Sequence, residues 1–146
     1  MNTPRRVTGP EVAAVALGGA IGATCRYGAL RISPVTPRSF PVTILVVNLL
    51  ASVLLGVLLA LLDDRSGAIP NRPAVRAFLV AGVVGALGTL SAVAVDIARL
   101  LAGDRIGIAL GYGAVTLVAC TGVLILGLLA AGWQPAWHTL PEEDEL

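Results

Sequence analysis

Residues 74–101 read AVRAFLVAGVVGALGTLSAVAVDIARLL, a run broken only by the charges of Arg76, Asp96 and Arg99. A helix needs about 20 predominantly apolar residues to cross the hydrocarbon core of a bilayer, so this segment is long enough to span one. Its middle, Gly85-Ala86-Leu87-Gly88-Thr89-Leu90-Ser91, is unusual for such a helix. Glycine weakens a helix interior, and the carboxylate of Asp96 is costly in lipid. The pattern predicts a membrane helix broken near Gly85–Ser91, with Thr89 and Ser91 lining the break. Non-helical backbone at that depth persists only where protein or a cavity satisfies it. Carbonyls freed there can coordinate a cation such as Na⁺.

Three further segments share this apolar character. Spans are expected at about 11–30, 41–62, 74–101 and 106–131, joined by short connections rich in turn residues such as DDRSG (63–67) and PNRP (70–73). The predicted fold class is an all-α membrane protein with four transmembrane helices. These form a single domain over residues 1–146, ending in the short acidic tail PEEDEL. Composition agrees: 56% of the chain is apolar and 13% charged, with a mean hydropathy of +0.87. Soluble domains carry about 25% charged residues. The run after Arg5-Arg6 is long, lacks a clear cleavage site and precedes three others, so it reads as a retained span and not a signal peptide.

Orientation is poorly specified by charge. Four spans place Arg5, Arg6, Arg65, Arg72 and Arg76 on one side, and Arg26, Arg31, Arg38, Arg99 and Arg105 on the other. Basic residues near span ends normally fix topology; here they balance, as expected either of a chain that inserts both ways and pairs antiparallel or of one whose topology is set by folding or a partner. Small residues on every span (Gly18-Gly19 and Gly22, Ser52 and Gly56, Gly82 and Gly85, Gly122 and Gly127) suit close helix packing and self-association. A net charge of +1 offers no case for nucleic acid. Cys25 and Cys120 have no metal-ligand spacing, and the lone His138 stands in the polar tail. Without a catalytic pair, phosphate loop or HExxH, the chain is not expected to be an enzyme.

What remains is a set of polar residues inside apolar spans. Arg26 either snorkels to the interface or sets a fixed positive charge at the mouth of an anion path, a role that suits a side chain always protonated. Asn48 either binds helices together or offers its amide N–H groups to a dehydrated anion, with Ser52 on roughly its face. Asp96 has Arg99 within pairing reach on a helix. Tyr112 and Thr116, four apart, share a face of the fourth span; Tyr112 equally suits an interface anchor. Together the donors outnumber the acceptor-only groups, which suits a small, strongly hydrated anion whose water must be replaced.

Three of these stretches carry a resemblance that extends over about Val12 to Gly132. GGAIGATCRY (18–27), TILVVNLLASVLLG (43–56) and GVVGALGTLSAVAVD (82–96) are similar to GGxxGAxxRY, TLxVNxxGxxxxG and GxxGGxTTFSTFSxE of the CrcB/Fluc fluoride channels. The resemblance implies a passive, fluoride-selective channel in the cell membrane that relieves fluoride toxicity. It also implies an antiparallel dual-topology dimer with a structural Na⁺ at its centre. By position it assigns the anion path to Arg26, Asn48, Ser91, Asp96, Tyr112 and Thr116, and the sodium to carbonyls around Gly88 and Thr89. Two family phenylalanines, whose ring edges face fluoride, are Leu90 and Val93 here. That departure leaves open a channel conducting alone and a partner subunit or non-conducting scaffold of a paired channel; four spans without a charge bias also admit a small multidrug-type transporter. The last class needs a carboxylate within the first span, where this chain has Glu11 only at its start. Partners expected are fluoride, the bilayer and a second copy or homologous subunit.

Overall fold

The computed structural model describes residues 7–33, 40–63, 68–70 and 72–133. The described chain is all helical, and four of its helices are long and apolar enough to cross a membrane. Helix α1 (Gly9–Ile32) opens where Glu11 Oε2 accepts the Thr8 backbone N–H at 3.0 Å, satisfying a donor that a helix start leaves orphaned. Pro41 stands at the entry to α2 (Val42–Leu61), where its missing N–H costs nothing.

The third span, Pro73–Ala102, is a composite. It comprises α3 (Pro73–Arg76), a π-helical stretch Ala77–Val84, α4 (Gly85–Leu87) and α5 (Leu90–Ala102). Between α4 and α5 the backbone is extended, with φ −82° and ψ 140° at Gly88 and φ −152° and ψ 125° at Thr89. Helix α6 (Ile106–Ala130) completes the set, after a turn in which Asp104 adopts φ 57°.

Small residues set how these helices meet. A β-carbon on Gly18 would collide with the carbonyl of Phe78, and one on Gly22 with that of Val83. The same holds on the other pair: Gly56 faces the carbonyl of Leu124, and a β-carbon on Gly127 would lie 2.6 Å from the carbonyl of Val53. So α1 packs backbone to backbone on the first half of the third span, and α2 packs likewise on α6. Lipid tails are as apolar as leucine, so van der Waals fit of this kind drives membrane-helix association. Gly19 and Gly122 face open space instead; their place in the sequence gave no sign of the difference.

Buried side chains form two clusters. One joins Ile44, Val93, Leu100, Ala109 and Tyr112; the other joins Ala51, Leu58, Leu62 and Val84. The outer faces are aliphatic too, as at Leu50, Leu117, Val118 and Leu126. Apolar residues inside and out suit a lipid solvent, and the chain is a multi-pass membrane protein.

Candidate functional site: a polar seam beside Gly88 and Thr89

Asn48 sits on α2, 8% exposed, facing the extended residues of the third span. Its Oδ1 accepts the Thr89 backbone N–H at 2.7 Å, and its Nδ2 donates to the Thr89 carbonyl at 3.4 Å. The short bond fixes the orientation of the amide, because a backbone N–H can only donate and must meet oxygen. The N–H that Thr89 withdraws from the helical ladder thereby finds a partner, as buried backbone groups must. The second Nδ2 hydrogen is not used in this clamp.

Gly88 is held as tightly. A β-carbon there would lie 2.8 Å from Cβ of Ala51 and 3.4 Å from Oδ1 of Asn48. The backbone of the third span therefore approaches α2 more closely than a side chain permits. Next to it, Thr89 Oγ1 and Ser91 Oγ are 2.6 Å apart. One hydroxyl proton of that pair is consumed between them and the other remains.

A groove of about 350 Å³ opens along this seam, bordered by Asn48, Ser52, Thr89, Leu90, Thr116 and Thr121 among others. Thr121, on the same helix as Thr116, was not singled out from the sequence; a hydroxyl five residues from Thr116 was the available cue. Thr116 is 5% exposed and its Oγ1 donates to the carbonyl of Tyr112 at 2.7 Å. Its proton is thus spent on its own helix, a common habit of mid-helix threonine. The Tyr112 ring is fully buried, edge-on to Phe40 at 5.4 Å and 89°, and its hydroxyl has no partner among the described residues. Tyr112 and Thr116 share a face, yet their hydroxyls are not joined to each other.

A second cleft, of about 480 Å³, gathers Arg26, Ser91, Asp96 and Arg99. Arg99 pairs with Asp96 at 3.2 Å, its own side chain 59% exposed against 4% for Asp96. The pairing anticipated on helical spacing is present, with the other carboxylate oxygen buried and unpartnered among the described residues. Two guanidinium groups against one carboxylate leave this cleft positive. The candidate residues thus divide: Asn48, Gly88, Thr89 and Thr116 meet at the seam; Arg26, Ser91 and Asp96 meet in the cleft; Tyr112 borders neither. Leu90 is 72% exposed and Val93 3%, though both border the seam groove. Among the described residues no group of three or more His, Cys, Asp or Glu could hold a metal; the oxygens at the seam are backbone carbonyls, hydroxyls and Oδ1 of Asn48.

Residues 13–128 match the model of the family described as CrcB-like protein, Camphor Resistance (CrcB). The chain belongs to the CrcB-like family. Three curated relatives illustrate the likeness. Fluoride-specific ion channel FluC 2 of Streptomyces avermitilis is 40% identical over 74% of this chain and 66% of its own length, just under two thirds. FluC 1 of Streptomyces coelicolor is 36% identical over 90% of this chain and 79% of its own. FluC of Deinococcus radiodurans is 41% identical over 70% and 79% respectively. Relatives of this CrcB-like chain are thus ion channels and not enzymes.

Proposed function

We propose that this CrcB-like chain forms a passive, fluoride-selective channel, or one subunit of such a channel, through which fluoride leaves the cell across the plasma membrane and its toxicity is relieved. The fluoride specificity named for its relatives carries the reading, and the seam gives it chemistry. A small anion sheds water only where donors replace it. The unspent N–H of Asn48, the spare hydroxyl proton of the Thr89–Ser91 pair and the guanidinium of Arg26 are such donors. Arg26 and Arg99 at the cleft would draw the anion inward, and Asn48 would receive it.

In this reading two copies pair antiparallel with dual topology and hold a structural Na⁺ between them. The residues present fit that ion. Gly88 and Thr89 are extended, so the carbonyl of Gly88 leaves the helical ladder and that of Thr89 stands at its first turn, and unwound carbonyls are ligands that membrane proteins use for Na⁺. The bond that the carbonyl of Thr89 accepts from Asn48 is long, at 3.4 Å, and a carbonyl oxygen has two lone pairs. One copy offers few such oxygens; a second copy doubles them. Bound there, the cation would supply fixed positive charge next to the path, while Asn48 and Ala51 hold the backbone in place.

A second reading rests on Leu90 and Val93, whose aliphatic groups lack the positive edge of a ring. Under it the chain is a non-conducting partner of a homologous subunit. Fluoride-electrode recording of efflux from liposomes holding the purified chain alone separates the two. Rapid release of fluoride with chloride retained is the outcome expected of a complete channel. Release only after co-reconstitution with a homologous subunit would favour the partner reading, and none in either case would sink both. Leu90→Phe is expected to raise efflux severalfold, because the exposed site takes a ring without overpacking, whereas the buried Val93 does not. Unchanged efflux in Leu90→Phe would show that the aromatic edge is not what limits this chain.

A further inference from the structure

The seam groove continues inward past Asn48, where its α2 wall holds Ser52 and its α6 wall holds Thr121. These two hydroxyls differ from others in the bundle. Thr24 and Thr116 each donate to the carbonyl four residues back, at 2.7 Å. Ser52 and Thr121 make no hydrogen bond among the described residues. Both border the groove, Thr121 exposed and Ser52 half-buried. A hydroxyl left unpaired in a lipid solvent is costly, so these protons call for an occupant.

The packing of α2 on α6 gives their depth. Successive spans cross a membrane in opposite directions, so α2 and α6 run parallel. Ile44 shares a buried cluster with Tyr112, Gly56 meets Leu124 and Leu128, and Gly127 meets Val53 and Val57. On this register Thr121 lies between Asn48 and Ser52, while Thr116 lies nearer the start of α2 than Asn48. The cleft of Arg26 and Arg99 reaches Ile44, in the first turn of α2. Ser52 stands at the middle of α2, about 6 Å beyond Asn48 at 1.5 Å per residue. From the cleft inward the order is therefore Asn48, Thr121, Ser52.

No carboxylate borders the groove among the described residues to repel an anion. The oxygen of Asn48 is occupied by the Thr89 N–H at 2.7 Å, so its free valence is an N–H. An apolar occupant would leave all three donors unpaired, whereas a dehydrated anion takes several at once. Thr116 borders the same groove, but its proton is spent on the carbonyl of Tyr112, and Tyr112 turns its ring against Phe40. We propose that, with the chain read as a fluoride path, Thr121 and Ser52, in place of Thr116 and Tyr112, take the anion over from Asn48 and pass it to the middle of the membrane.

The test is fluoride-electrode recording of efflux from liposomes holding the chain, co-reconstituted with a homologous subunit where the chain alone releases nothing. Thr121→Val keeps the branched shape and removes the proton; efflux should fall about tenfold, the worth of one hydrogen bond to a charged group. Ser52→Ala should cost about as much. Thr121→Ser, which restores a hydroxyl, should recover most of the loss, and Thr116→Val should cost less than either. Thr24→Val, a matched change outside the groove, should leave efflux unchanged. Neither Thr121 nor Ser52 gives up a hydrogen bond on substitution, so the variants should elute as the wild type does. Undiminished efflux from Thr121→Val and Ser52→Ala, or a larger loss in Thr116→Val, would overturn the assignment and leave the fluoride reading standing. A loss in Thr121→Ser equal to that in Thr121→Val would overturn it too, because the proton would then not matter. No release by the wild type, alone or paired, would remove the fluoride reading and the assignment together.

Discussion

Asn48→Asp is expected to cut fluoride efflux from reconstituted liposomes by at least about a hundredfold. The substitution is nearly isosteric, so its effect is electrostatic. A carboxylate oxygen still accepts the Thr89 N–H that Asn48 now accepts at 2.7 Å. It cannot donate to the Thr89 carbonyl, and it puts a negative charge beside that oxygen and in the way of an anion. Two unit charges about 4 Å apart repel by about 4 kcal/mol at an effective dielectric of about 20, and each 1.4 kcal/mol is tenfold in a rate. Because the short bond survives, the variant should elute as a folded protein while its efflux collapses. Undiminished efflux would remove Asn48 from the ion path and leave it only the task of holding Thr89.

Gly88→Ala should destabilise the fold by about 1–3 kcal/mol, the usual cost of overpacking a tight contact, with a matching fall in efflux. The new methyl would sit 2.8 Å from Cβ of Ala51, and neither is the far end of a flexible chain that swings aside. The backbone at Gly88 has φ −82°, which alanine adopts freely, so crowding alone is at issue. Glycine itself costs about 1 kcal/mol inside a helix, so Ala51→Gly should cost less in the Gly88→Ala background than alone, giving a favourable coupling in a double-mutant cycle. Thermal unfolding of the four variants in one detergent reads it. Additive losses would mean that Gly88 does not meet α2 as closely as the structure places it.

Hydropathy was enough to read four helices able to cross a membrane, because an apolar segment of sufficient length has few other ways to be solvated. Family membership was legible as well, in the order of three motifs along the chain. Individual side chains were less so. Spacing put Tyr112 and Thr116 on one face, but spacing says nothing of where a hydroxyl proton goes. The proton of Thr116 goes to the carbonyl of Tyr112, while Tyr112 turns its ring against Phe40. Leu90 and Val93, three apart in sequence, look equivalent as departures from two phenylalanines; one is 72% exposed and the other 3%.

Sequence alone carried the solvent of this protein, the count of its long helices and the place where glycines and hydroxyls crowd into the third. All of these are local properties of composition and period. The partner of Thr89 is not local. Asn48 lies 41 residues earlier, and its amide had two open readings, a bond between helices or a donor to an anion. Packing resolved how far the first holds: α2 and the third span come close enough, through Ala51 and Gly88, for one side chain to take both backbone groups of Thr89. That closeness follows from side chains that are absent, and a missing side chain acquires meaning only when another helix occupies its space.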